Sequence, residues 1–377
     1  MIDMLISVLH HVFGMAWKVA WGLVLGFAIS GAVQAFVSKE RIAESLGSFA
    51  WKPLLKATGF GAASSSCSYA AAAMSKTLFQ KGAHLVNATA FLVASTNLVL
   101  EIGLVLWTLM GWPFVAAELV GGILLISVMT VFLGWLAPQG LFKRAREHVR
   151  KAAAEHGDEH QHGAHHDHGA AGGTLELRRL FTKDGMAAVG RYFVTDWRMV
   201  GKDVVLGLTI AGALAALVPR EWWATLFLTP SDGGSPGLWV TVENAVIGPV
   251  IALLSFVCSV GNIPLAAVLW QNGISFGGVV AFIFADLVTI PMVLVYRRYY
   301  GWKPALAFAG YLFVAIVLVG LMVDGLFVLV GAAPEPASSA ATLAEVDYFA
   351  WDYTTWLNIV LLPFGIWLAW RGTRAER

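Results

Sequence analysis

Charge is scarce in this chain. Only 13% of its 377 residues are Asp, Glu, Lys or Arg, against about 25% in soluble domains. That shortfall excludes an ordinary soluble domain, a disordered chain and a nucleic-acid binder. Cysteine is scarcer still, at two residues, which excludes a disulfide scaffold, an iron–sulfur protein and a zinc ribbon. No P-loop, dinucleotide glycine motif, G-x-S-x-G elbow or kinase set occurs, so the sequence carries no ATPase of its own. The N-terminus lacks a basic n-region and an A-x-A-like site, and no cleavable signal peptide is expected. What the chain has in abundance is apolar residues, 58% of the total. Such a composition points to a polytopic membrane protein.

Crossing about 30 Å of hydrocarbon takes roughly 20 apolar residues. Runs of that kind lie at 12–37, 83–109, 113–137, 200–218, 277–296, 304–331 and 349–370. Tryptophans at their edges (Trp17, Trp21, Trp107, Trp112, Trp302, Trp351, Trp356 and Trp370) fit an interfacial belt. Two further apolar stretches, 51–81 and 239–273, are interrupted by small polar residues and do not read as clean spans.

The chain resembles itself. Gly26-x-x-Ile29-x-Gly31-Ala32 returns as Gly207-x-x-Ile210-x-Gly212-Ala213, and Val37-x-Lys39-Glu40 as Val218-x-Arg220-Glu221. Cys67-Ser68 returns as Cys258-Ser259, Gly82 as Gly273, Ala90-Phe91 as Ala281-Phe282 and Gly111-Trp112 as Gly301-Trp302. Duplicated halves are a frequent transporter signature. Between them runs a polar linker rich in Lys and Arg, which marks the cytoplasmic side. If 51–81 and 239–273 were full spans, the halves would be parallel and Arg297, Arg298, Lys303, Arg371 and Arg374 would lie outside. If both are re-entrant hairpins, the halves are inverted and these residues join Lys39, Arg41, Lys52, Lys56, Lys76 and Lys81 inside. The inverted arrangement satisfies the positive-inside bias better. Arms of about 15 residues at 1.5 Å per residue also reach only part of the way across.

The expected fold class is therefore an all-α polytopic membrane protein with two inverted repeats. Each repeat has about three transmembrane helices and a re-entrant broken-helix hairpin, and a C-terminal transmembrane helix follows. The domain reading is a first transmembrane repeat over 1–139 and a largely disordered cytoplasmic His-rich linker over 140–198. A second repeat covers 199–332, with an external loop and the C-terminal helix over 333–377.

Four features carry chemistry. Ser64-Ser65-Ser66-Cys67-Ser68-Tyr69 reads as a soft-ligand station, because a thiolate prefers soft ions and hydroxyls solvate a passing group; the plainer reading is helix packing by small residues. Cys258-Ser259-Val260-Gly261-Asn262-Ile263-Pro264 reads as an unwound turn exposing carbonyls, or simply as a proline kink. The intramembrane polar residues come third. Asn97 and Glu101, four apart, would share a helix face, and Asp286 matches Ser95 of the first half. Asp286 and Glu101 are candidates for proton or cation coupling. Glu118 and Glu243 read better as wetted helix ends. Fourth, His156, His160, His162, His165, His166 and His168 could hold Zn, Ni or Cu weakly, or could be a solvated loop.

At these residues the chain resembles the predicted permease family that includes the organoarsenical efflux permeases (ArsP-type). The carrying stretches are Ser65-Ser66-Cys67-Ser68-Tyr69-Ala70 through Lys81-Gly82, Ala90-Phe91-Leu92, Cys258 through Ala266, Ile274 through Gly278, Ala281 through Leu287, and Tyr299-Tyr300-Gly301-Trp302. The resemblance implies export of trivalent organoarsenicals or related soft species across the cell inner membrane. Many such permeases have a Cys-Ser-Cys first motif. Here Ser66 stands in place of the leading Cys, which leaves one thiol per half. That points away from arsenite, which favours three thiols, and toward a two-thiol species such as methylarsenite or a thiolate-bound metal ion.

The functional expectation is a multi-pass inner-membrane permease, not an enzyme, working by alternating access. Cys67, Cys258, Ser66, Ser68, Asn97, Asn262 and Ser259 would bind substrate, and Asp286 and Glu101 would couple. No cofactor is expected beyond a metal ion at the His-rich linker. Expected partners are membrane lipid and a small soft metal or metalloid, with no nucleic acid; a homodimer is allowed. Two other readings stand beside it: a membrane thiol–disulfide enzyme using Cys67 and Cys258, and a permease for an anionic or sulfur-containing small molecule. A native Cys67–Cys258 bond that cycles with quinone would favour the first of these. Binding calorimetry across metals and oxyanions would separate the second.

Overall fold

The computed structural model describes residues 2–36, 46–64, 68–80, 82–138, 140, 143–149, 182–218, 222, 225–228, 237–255, 259–334, 349, 351 and 353–374. The protein is an all-α polytopic membrane protein; no strand occurs among the described residues. The first half contains α1 (Ile2–Phe36), α2 (Trp51–Ser64), α3 (Ser68–Gln80), α4 (Leu85–Asn97), α5 (Leu100–Met110) and α6 (Trp112–Val131), which a π-turn extends over Phe132–Leu136. The second contains α7 (Lys183–Leu217), α8 (Leu238–Ser255), α9 (Ser259–Gln271), α10 (Phe276–Phe284) with a 3-10 turn over Ala285–Val288, α11 (Ile290–Tyr300) and α12 (Trp302–Val330). A final helix, α13, runs over Tyr353–Arg374.

The duplication is visible in this order, because each helix of the first half has a counterpart six places on. α1 and α7 both have 35 residues, α3 and α9 both 13, α5 and α11 both 11. The turns match as well. Gly82 and Gly273 have φ of +108° and +97°, and Gly111 and Gly301 have +89° and +86°. A side chain at these positions would strain the backbone, so glycine occupies both copies.

Among the described residues five helices are long and apolar enough to cross a membrane, or six if the bent pair α4 and α5 counts as one span. The arms α2, α3 and α9 have 14, 13 and 13 residues. At 1.5 Å per residue each is about 20 Å long and too short to cross alone.

The centre is built by α4 and α10. Every residue of α4, of α10 and of its 3-10 turn is buried. Small residues permit this closeness, since the hydrophobic effect does not draw helices together in lipid and packing must. Gly61 of α2 lies so near α4 that a Cβ there would be 2.6 Å from the Phe91 carbonyl oxygen. Gly248 of α8 presses the same way on the Gly278 carbonyl of α10. Around this centre α6 and α12 pack against each other, as do α1 and α7, while α13 lies on α1 and α7.

The run at 200–218 lies in the longer α7, whose first turns are charged. Three expectations change. The expected linker 140–198 is partly helical, over 143–149 and from Lys183 onward. The unwound turn expected across Cys258–Pro264 is helix from Ser259, with Pro264 in its second turn. Pro264 removes only one backbone donor, close to the end where the first four N–H groups lack intrahelical partners anyway. Finally, Asn97 and Glu101 do not share a face. Asn97 ends α4, Glu101 lies in the first turn of α5, and the two helices bend by 41° around Leu98 and the extended Val99. Residues 335–348 of the expected external loop and the His-rich stretch fall outside the described residues.

Candidate functional site

Each half has a broken span whose break faces the molecular centre. In the first, Val99 is extended (φ −109°, ψ 147°) between α4 and α5. In the second, the 3-10 turn Ala285–Val288 and the extended Thr289 (φ −57°, ψ 152°) separate α10 from α11. Irregular backbone at membrane depth persists only where protein or a wet cavity covers it. Here protein covers it: Asp286, on the 3-10 turn, is 1% exposed.

Asp286 receives hydroxyls from both halves. Ser68 Oγ, at the start of α3, donates to Asp286 Oδ2 at 2.7 Å, and Ser259 Oγ, at the start of α9, donates to the same oxygen. The two hydroxyls are 3.1 Å from each other. Ser68 and Ser259 are counterparts in the duplication, so the halves meet at equivalent residues. The carboxylate accepts two charge-assisted bonds, each stronger than a neutral pair. Ser95, the counterpart of Asp286, does none of this: its hydroxyl turns back to the Leu92 carbonyl at 3.1 Å.

Around this contact lie other buried polar groups. Asn97 and Asn262 are buried, and Thr96 Oγ1 sits 2.8 Å from Asn97 Oδ1. Glu118 of α6 is 3% exposed, with Asn97 and Asp286 both within electrostatic reach. It is therefore not the wetted helix end expected from the sequence. The available signal was its place, seven residues into an apolar helix and just ahead of Gly121-Gly122. Tyr296 of α11 was also missed; its hydroxyl donates to the Leu287 carbonyl at 3.0 Å and braces the 3-10 turn. Glu101, by contrast, is directed to α1, where Gly26 lies against its side chain. Asp324 of α12 accepts the Gly277 N–H at 2.9 Å and acts as a cap for α10. Glu243 is only partly buried and lies apart, on α8.

Of the expected site residues, the structure brings Ser68, Ser259 and Asp286 together. It sets Asn97 beside Glu118 and sends Glu101 toward α1. Cys67, Cys258, Ser66 and the histidines at 156, 160, 162, 165, 166 and 168 lie outside the described residues. Among the described residues no group of three or more His, Cys, Asp or Glu could hold a metal ion.

Comparison with known proteins gives two matches. Residues 4–325 match the model of a family described as "Predicted permease". The chain is also 43% identical over 326 residues to "Putative permease Rv2963" of Mycobacterium tuberculosis (strain ATCC 25618 / H37Rv), across 86% of this chain and 78% of that protein. No solved structure matches.

Proposed function

This chain belongs to the predicted permease family, and on that premise we propose that it exports a soft metal or metalloid species across the inner membrane. A trivalent organoarsenical is the first candidate. Transport runs by alternating access and without an ATPase of the protein's own. The observation that supports this most is the contact of Ser68 with Ser259 under Asp286. Each of these serines directly follows one of the two cysteines. A substrate held by Cys67 and Cys258 would thus bridge the two halves where they meet, and a soft centre suits thiolate ligands. Ser66, Ser68, Ser259, Asn97 and Asn262 supply polar lining, and Asp286 supplies coupling.

The transport step follows from an inequality between the halves. Gly26 and Gly207 are counterparts, yet α1 packs on α5 through Gly26 and Glu101, whereas α7 packs on α9 through Gly207 and Gly261. Two copies of one sequence pattern held in two arrangements can exchange them. In an inverted pair that exchange turns an inward-facing pathway outward.

The test is uptake of trivalent methylarsenical and of soft metal ions into everted membrane vesicles. Wild-type protein accumulates at least one of them, an uncoupler abolishes the accumulation, and Cys67→Ser and Cys258→Ser each remove it. Undiminished transport of every soft species by the double serine variant would overturn the ligand role.

A further inference from the structure

We propose that Glu118 and Asp286 form a single proton-binding carboxyl pair, positioned by Asn97, and that this pair, not Glu101, partners the coupling step. The transport role rests on the permease reading above; the pair itself does not.

Two carboxylate oxygens lack a hydrogen-bond partner: Glu118 Oε1 on α6 and Asp286 Oδ1 on the 3-10 turn. Both residues and Asn97 are buried. One turn beyond Glu118, α6 presses on the residues beside both breaks, Gly121 on Phe284 and Gly122 on Leu98. Buried polar atoms are ordinarily paired, the more so in a membrane. Two unpaired carboxylate oxygens at one crossing mark a place where something binds and leaves.

The charges around the pair indicate what that is. No Lys or Arg occurs within 85–131 or within 259–296, so α4, α5, α6, α9 and α10 bring no fixed cation. The other charged groups on packed elements are otherwise placed: Glu101 lies against Gly26, Asp324 holds the Gly277 N–H, Glu243 of α8 is partly exposed, and Arg297 and Arg298 of α11 are exposed. The tyrosine facing Asp286 is Tyr296, itself bonded to Leu287. Each bare carboxylate at membrane depth is costly, and two like charges close together cost more. A proton removes one of them. A metal cation fits poorly, because Asn97 turns its carbonyl oxygen to Thr96 and faces Glu118 with its amide donor. A donor suits a carboxylate and repels a cation.

The step balances without any further reactant. A proton arriving from one side forms an O–H bond on Glu118. That bond breaks as one forms on Asp286, so the pair's total charge is unchanged. Protonated Asp286 is a weaker acceptor for Ser68 and Ser259, and the hydroxyl tie between the halves loosens. Release to the other side restores it.

The experiment uses the full chain in liposomes, with infrared difference spectra of the carboxyl band across a pH titration. Wild-type protein gives two linked steps, as interacting groups do; Glu118→Gln and Asp286→Asn each reduce them to one, and Glu243→Gln changes nothing. Proton-driven transport is lost in Glu118→Gln, as expected when one ionisable member of a pathway is removed, while substrate counterflow persists. Carbodiimide labelling of wild-type protein, mapped by mass spectrometry, adds a readout that needs no variant: it marks Glu118 or Asp286 and fades at alkaline pH. An unchanged titration in Glu118→Gln, labelling of neither residue, or a titration that moves with sodium concentration at fixed pH would each overturn the pair. Intact linked titration without transport of any soft species would instead overturn the cargo.

Discussion

The two halves share a sequence pattern, a helix order and even their left-handed glycines, yet they differ at the centre. The first half puts Ser95 where the second puts Asp286. One hydroxyl folds back on its own helix, and the counterpart carboxylate collects a hydroxyl from each half. The long helices differ too: α1 covers α5, and α7 covers α9. As a result ten residues of α9 are buried against six of the equally long α3. Duplication supplies the frame, and departures from it supply a polarity that a symmetric frame lacks.

The largest expected effect comes from forcing the glycine crossings. In Gly207→Val the new side chain meets the backbone of Gly261, which cannot yield, whereas in Gly26→Val it first meets the flexible side chain of Glu101. Overpacking costs about 1–3 kcal/mol where neighbours can yield, and occasionally more; Gly207→Val, blocked by backbone, lies above that range and is the worse of the two by thermal unfolding in detergent. Equal losses would break the claimed inequality of the halves.

Next in size is the exchange at the centre. Ser95→Asp places a carboxylate at the matching point of the first half without the two serine donors and destabilises by about 2.5–3.5 kcal/mol. Asp286→Asn keeps an oxygen acceptor and the fold but stops coupled transport in vesicles. If Ser95→Asp were tolerated as well as wild type, the centre would be less dry than its burial indicates.

A smaller effect is expected at the serines. Ser68→Ala and Ser259→Ala each remove one donor to a buried carboxylate, at about 1.5–3 kcal/mol. A double-mutant cycle should give a coupling of at least about 0.5 kcal/mol, because both bind one oxygen. Strict additivity would mean that the hydroxyls do not act together. Smallest is Gly59→Ala, whose counterpart is Val250 and around which nothing lies within 4 Å. The alanine stabilises α2 by up to about 1 kcal/mol.

The duplication was legible because it rests on residues with narrow tolerances. Gly82, Gly273, Gly111 and Gly301 recur where the backbone turns left-handed, and Cys-Ser recurs ahead of each short arm. The break between Asn97 and Glu101 was not legible. Asn97-Leu98-Val99-Leu100 contains neither proline nor glycine, and its apolar run continues unbroken, whereas Pro291 announces the matching break in the second half. Glu118 was misread for a related reason: the cost of a buried carboxylate favours a wetted end unless a partner is known, and its partners lie on α4 and on the 3-10 turn.

By itself the sequence determined that the chain lives in a membrane, that it is doubled, and where its glycine turns fall. These follow from composition and from backbone conformations that only certain residues adopt. Tertiary structure alone decided which polar residues meet. Ser68, Ser259 and Asp286 are separated by up to 218 positions, and a hydrogen bond depends on distance in space, which spacing along helices does not reveal once a span has been broken.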